Sequence, residues 1–133
     1  MKATLHTDGA CLGNPGPMGL GIVLQLETGE TIEKATPAGN GTNNIAEYSA
    51  LLAGLAVAKQ HKVTHLEAYL DSELVVKQIN GAWRVKDATL QALHSKAHEY
   101  LKDFTQVSVT HVRRHLNTRA DALSKQAAEA TTK

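Results

Sequence analysis

Apolar and polar positions alternate near the start of the chain, where Thr4, Leu5, His6 and Thr7 predict a strand. The cluster Gly13, Asn14, Pro15, Gly16 and Pro17 then imposes a turn. Residues 21–26 and 31–38 predict two more strands joined near Thr28-Gly29, so the chain opens as an antiparallel meander. From Asn44 to Lys59 the period changes: Ala46, Leu51, Leu52, Leu55 and Val57 are apolar and no proline interrupts, which predicts a long helix. A short strand over 66–70 runs into a helix from Ser72 to about Asn80, which Gly81 ends. Leu90, Leu93, Ala97, Tyr100 or Leu101, and Phe104 recur at helical spacing across 87–104. Val107, Val109 and His111 alternate as a last strand, and residues 118–130 are alanine-rich and helical. The order βββαβααβα predicts a mixed α/β class, a sheet of both strand senses with helices packed on its faces.

Length and composition narrow this picture. The 133 residues suffice for one core and not for two, so a single domain is expected over 1–130 with a short tail at 131–133. A hydrophobic share of 42% and a charged share of 20% suit a globular protein. The longest apolar run, Ala50 to Ala58, is too short to cross a bilayer, and no leader-like segment opens the chain. Cys11 is the single cysteine, which excludes an internal disulfide or a multi-cysteine zinc site and suits a reducing cytoplasm. A net charge of +1 hides a split. Up to Ala58, 2 lysines face 5 acids; from Lys59 onward, 12 basic residues face 8 acids. That asymmetry fits a cation site beside an anion-binding surface, and equally fits ordinary solvated charge.

Four carboxylates stand at element junctions. Asp8 closes the first predicted strand; Glu47 and Asp121 lie on first turns of helices; Asp71 joins a strand to a helix. Three of them have a capping alternative. Asn44-x-x-Glu47 and Thr118-x-x-Asp121 fit a capping box, and Asp71 or Ser72 fits an N-cap. Asp8 has none, since no helix starts beside it in sequence. Strand ends and helix first turns share one edge of a compact sheet-and-helix domain, so the four acids are expected to converge. Such a cluster repels itself unless a divalent cation neutralises it, and hard carboxylate oxygens suit Mg²⁺ or Mn²⁺. Two such ions about 4 Å apart are a known device for phosphodiester hydrolysis.

The segments Thr7-Asp8-Gly9-Ala10-Cys11-Leu12-Gly13-Asn14-Pro15-Gly16-Pro17, Thr42-Asn43-Asn44-Ile45-Ala46-Glu47, Leu70-Asp71-Ser72 and Asn117-Thr118-Arg119-Ala120-Asp121-Ala122-Leu123 closely resemble type 1 ribonuclease H, in that family's order. The resemblance implies a ribonuclease H-like fold, a five-stranded mixed sheet flanked by helices. It implies endonucleolytic cleavage of the RNA strand of an RNA/DNA hybrid, leaving 5′-phosphate and 3′-hydroxyl ends, by a monomer without an obligate protein partner. Asp8, Glu47, Asp71 and Asp121 match the family's metal-binding acids, with Asp8 and Asp71 central to two ions. Asn14 and Asn43 or Asn44 match positions that contact the ribose 2′-hydroxyl, the group that distinguishes RNA from DNA. Thr42 matches a residue that holds a DNA phosphate. The competing reading keeps the fold as a non-catalytic nucleic-acid-binding module.

The sequence also departs from the family pattern. The loop after the last strand is short, and both His115 and Arg114 are candidates for the family's auxiliary histidine; an imidazole shuttles protons, whereas arginine only stabilises charge. Glu73 stands where glutamine is frequent among 2′-hydroxyl contacts. Between Gly81 and Phe104 the basic residues are only Arg84, Lys86, Lys96 and Lys102, so the basic protrusion of longer members is expected to be missing and substrate binding to be salt-sensitive. Trp83 is expected to anchor the end of the second helix, with stacking on the DNA strand as the alternative. His6, His61, His65, His94 and His98 are expected as packing or surface residues.

Overall fold

The computed structural model describes residues 1–132. Strands β1 (Lys2–Cys11), β2 (Gly16–Leu26) and β3 (Thr31–Gly41) come first, then α1 (Asn43–Gln60), β4 (His65–Leu70), α2 (Glu73–Ile79), α3 (Ala88–Leu101) and β5 (Gln106–His111). A single 3₁₀ turn at Arg114–Leu116 leads into α4 (Thr118–Thr131). The five strands form one sheet in the order β3-β2-β1-β4-β5. β1 pairs antiparallel with β2, and β2 with β3, while β4 runs parallel to both β1 and β5. This is the mixed sheet that the element order predicts.

The alternation of β1 assigns its two faces. Leu5 and Thr7 pair with Leu24 and Ile22 on the face covered by α1, where Gly54 of the helix lies against both β1 side chains. Leu5, Ile22, Leu24, Leu51, Leu55, Leu70 and Val75 are fully buried there. Each contributes about 1.5–3 kcal/mol by leaving water. His6 and Asp8 pair with Val23 and Gly21 on the opposite face, where α4 packs through Ala120 and Leu123.

The first three strands run further than the turn residues suggest. β1 continues through Asp8 to Cys11, so Asp8 lies inside the strand and not at its end; β2 starts at Gly16 and β3 ends at Gly41. Glycine and proline are tolerated here for positional reasons: Pro37 sits on the edge strand β3, and a register shift separates Pro17 from Gly19. At the other end, α4 continues to Thr131, whose hydroxyl donates to the Met18 carbonyl at 2.8 Å, so the expected tail begins no earlier than Thr132. Lys133 lies outside the described residues.

Candidate metal-binding active site

Two close backbone contacts build the site around Asp8. A side chain on Gly9 would stand 2.2 Å from the Ala46 carbonyl carbon and 2.5 Å from the Glu47 nitrogen, so only glycine lets the first turn of α1 lie on β1. The Gly9 N–H then donates to Glu47 Oε1 at 3.2 Å and fixes that side chain. On the other face, a side chain on Gly21 would stand 2.0 Å from the Ala120 carbonyl oxygen. Because Gly21 is the register partner of Asp8, this contact sets α4 directly over Asp8. Asp71 follows the last residue of β4, whose Leu70 pairs with Thr7 on β1.

The capping alternatives do not hold. The Thr42 side chain caps α1 by accepting the Ile45 N–H at 3.2 Å, which leaves Asn44 outside that role and Glu47 free. Ser72 caps α2, which frees Asp71. Asn117, not Thr118, starts α4, and it does so without a side-chain cap; its carbonyl accepts the Asp121 N–H at 3.0 Å. Each acid is thus available for other work.

Carboxylate oxygens of Asp8, Glu47 and Asp71 lie within 4.8 Å of one another, and Asp121 adjoins them on α4, where the Ser124 hydroxyl bridges its carbonyl oxygen and Asp8 Oδ2. Asp8 is 4% exposed. Burial first, then the hydrogen bond and charge of Glu47, with Asp121 and Asp71 adding, push the Asp8 carboxyl far above the carboxylate range. Burial likewise raises Glu47, and the Asp71 charge adds to it, against hydrogen bonds from Asp8 and Gly9. Asp121 goes the other way: burial raises it, but hydrogen bonds with Asp8 and Lys125 and the Lys125 and Arg114 charges outweigh burial. Burial and mutual repulsion thus favour the protonated form of Asp8 as long as no cation offsets the charge. Glu47 Oε2 is buried without any hydrogen-bond partner. An orphaned carboxylate oxygen beside two others, with no sulfur nearby, fits a hard divalent cation.

The auxiliary candidates separate. The Arg114 Nε stands 3.9 Å from Asp71 Oδ2, whereas exposed His115 makes no hydrogen bond or ion pair among the described residues. Asn14, Thr42, Asn43 and Asn44 line one cleft beside the acids, together with Asp87 and Thr89. There the Asn14 Oδ1 accepts the Asn43 N–H at 3.1 Å. Glu73 lies outside that cleft, exposed on the first turn of α2. Trp83 anchors α2 only through its backbone, the N–H donating to the Lys77 carbonyl at 3.1 Å, and its side chain remains 44% exposed. His94 caps the end of α2 at the Gln78 carbonyl, a packing role.

Two residues of the site have no role in the sequence expectations, although Asn117 opens the last of the quoted motifs. The buried Ser124 hydroxyl lies 3.4 Å from Asp8 Oδ2 and 2.7 Å from the Asp121 carbonyl oxygen. Buried Asn117 donates to the Thr7 carbonyl at 2.9 Å and so ties the residue before Asp8 to the start of α4. Ser124 stands three residues beyond Asp121, one turn along the same helix, which is the signal that placed it on the carboxylate side.

A β3-β2-β1-β4-β5 mixed sheet with a carboxylate cluster on its central strand defines a ribonuclease H-like fold. A family model described as reverse transcriptase-like matches residues 6–127. Ribonuclease HI of Halobacterium salinarum is 43% identical over 92% of this chain and 62% of its own length. Ribonuclease H of Syntrophus aciditrophicus is 34% identical over 96% of this chain and 80% of its own. A bifunctional protein of Mycobacterium tuberculosis is 38% identical over 98% of this chain, which spans only 36% of it. Among solved structures, RNase H1 from the halophilic archaeon Halobacterium salinarum superposes with a TM-score of 0.93 at 40% identity, covering 98% of this chain and 99% of that one. LC11-RNase H1, solved in complex with an RNA/DNA hybrid, superposes with a TM-score of 0.90 at 34% identity, covering 98% and 99%. The chain belongs to the ribonuclease H family, in its type 1 branch.

Proposed function

We propose that the chain is a metal-dependent endoribonuclease that hydrolyses the RNA strand of RNA/DNA hybrids, leaving 5′-phosphate and 3′-hydroxyl ends. The observation that carries this reading is the convergence of buried Asp8 with half-buried Glu47 and Asp71, with Glu47 Oε2 left unpaired. Asp8, Glu47, Asp71 and Asp121 would hold two divalent ions, Mg²⁺ or Mn²⁺. When bound, the ions supply Lewis-acid polarisation of the scissile phosphate and a lowered pKa for the attacking water.

The chain's own groups do the rest. Asp8, fixed between α1 and α4, would hold the cations in its carboxylate form, so that loading the site would be coupled to loss of any proton it carries. Arg114 sets a positive charge beside Asp71, where the phosphate's developing charge falls. Asn14, Asn43 and Asn44 offer amide donors and acceptors to the 2′-hydroxyl, and Thr42 a hydroxyl to a phosphate of the DNA strand. The hybrid as substrate is supported by the hybrid complex of LC11-RNase H1. The domain acts as a monomer in a reducing cytoplasm on this reading.

A nicking assay tests it. Purified protein is expected to cleave RNA paired with DNA in Mg²⁺ or Mn²⁺ and to lose activity in EDTA. Asp8→Asn is expected to lower the rate by about 10³-fold or more with the circular dichroism spectrum retained. Cleavage that survives Asp8→Asn or chelation overturns the mechanism. Hybrid binding without turnover in either metal favours the non-catalytic reading instead.

A further inference from the structure

We propose that Asp87 is an electrostatic brake on substrate binding, a negative charge set in the cleft where the hybrid backbone lies; this rests on the hybrid-cleavage reading above. The cleft lies between the N-terminal ends of α1 and α3. Both ends carry the positive pole of a helix dipole, and no acidic residue stands among residues 43–46 of α1, which precede Glu47, or 88–91 of α3. α1 is capped by neutral Thr42, and the remaining polar lining is amide or hydroxyl. Such a cleft favours phosphate, except at one place. Asp87 is the single charged side chain lining it.

No cationic side chain pairs with that carboxylate among the described residues. The ion pairs among the described residues are Lys59–Asp103, Arg114–Asp71, Arg119–Glu33 and Lys125–Asp121, and none includes Asp87. A nucleic-acid backbone entering the cleft brings phosphates within a Debye length, about 10 Å, of the carboxylate. The repulsion acts on the bound substrate and on the transition state alike, because the reacting phosphate lies at the acids and not here. It therefore weakens binding without touching the chemical step. Asp87 also caps α3, its Oδ1 accepting the Leu90 N–H at 2.9 Å. Asparagine and serine cap helices about as well as aspartate, so the cap does not require the charge.

The test separates charge from cap. Fluorescence anisotropy measures hybrid binding to Asp8→Asn protein with and without Asp87→Asn, at low and at near-physiological salt. Asp87→Asn is expected to tighten binding by roughly three- to tenfold at low salt, with a smaller gain at higher salt. Asp87→Ser gives the same gain. In otherwise wild-type protein, KM falls by the same factor and kcat is unchanged. Glu30→Gln, the same change of net charge in the β2–β3 turn, shifts binding by less than about twofold at this distance. Unchanged or weaker hybrid binding by both Asp87 variants, at unchanged melting temperature, overturns the proposal, as does an equal gain from Glu30→Gln. If the Asp8→Asn parent binds no hybrid and the wild type cleaves none, the underlying reading falls first and the brake with it.

Discussion

The carboxylate centre and the asparagine-lined cleft meet at the first turn of α1, yet they are held in opposite ways. Asp8 is buried and gripped from both faces of β1, by α1 through Gly9 and by α4 through Gly21. Asn14, Asn43 and Asn44 are exposed, and a single bond, from the Asn43 N–H to Asn14 Oδ1, ties the first two. The first region has no slack, because backbone meets backbone; the second tolerates change at the level of one hydrogen bond. Substitutions should therefore fall into two classes of effect. The sharpest separation is expected from Gly9→Ala, where a methyl group would overlap the Ala46 carbonyl and force α1 away from β1. A loss of about 3 kcal/mol or more in stability is expected, with cleavage down by at least roughly 10²-fold in whatever remains folded. Urea melts and rate measurements check this; near-wild-type values for both would show that α1 can shift at no cost.

The same contrast explains what was legible beforehand. The order of elements follows from period: two in the strands, 3.6 in α1, α3 and α4. The full lengths of β1 and β2 were not legible, because Gly16 and Pro17 read locally as turn residues while their tolerance depends on a register shift. The four acids stood out through their motifs, but the choice between capping and clustering needed tertiary structure. Thr42, Ser72 and Asn117 take the helix starts and so release Glu47, Asp71 and Asp121. Ser124 and Asn117 were missed because their partners, Asp8 and Thr7, lie 116 and 110 residues away, beyond any local pattern. Asp87 reads in sequence as a helix cap, which it is; its place in the cleft depends on how α3 packs against α1.

Next in size is the response of the metal-free protein to pH. Asp8 and Glu47 are both raised in the folded state, Glu47 to about 7, so the folded protein binds more protons than the unfolded chain above the ordinary carboxylate value. Stability must then fall as pH rises through that window. Between pH 5 and 7 a loss of about 2 kcal/mol is expected in EDTA, and saturating Mg²⁺ should restore it. Asp121 and Glu33, both held low, titrate below this window and leave its slope alone. His6 and His98, lowered by burial, run in the opposite sense, so the wild-type curve minus that of Asp8→Asn isolates the carboxylate contribution. Thermal melts in EDTA that stay flat or rise relative to Asp8→Asn would contradict the upward shift of these carboxyls.

A smaller effect distinguishes the two candidates for the auxiliary role. Arg114→Ala is expected to lower kcat by about tenfold, since it removes the cation beside Asp71, and Arg114→Lys should recover part of it. His115→Ala, at an exposed side chain without a hydrogen bond or ion pair among the described residues, should change kcat by less than about threefold. Steady-state rates for the three variants in Mg²⁺ decide the matter. The reverse ranking would assign the role to the imidazole.

The smallest effect is expected where the two regions join. Thr42 caps α1, the helix that carries Glu47, and its hydroxyl also lines the cleft. Removing that hydroxyl in Thr42→Ala should cost about 1 kcal/mol of stability through the lost cap. Because the Gly9 contact still holds Glu47, kcat should change little, while KM should rise by about two- to threefold if the hydroxyl meets a substrate phosphate as proposed. Thr42→Ser keeps a hydroxyl and should restore both quantities. If kcat falls instead and KM stays constant, the cap is positioning Glu47, and the centre and the cleft are one mechanical unit after all.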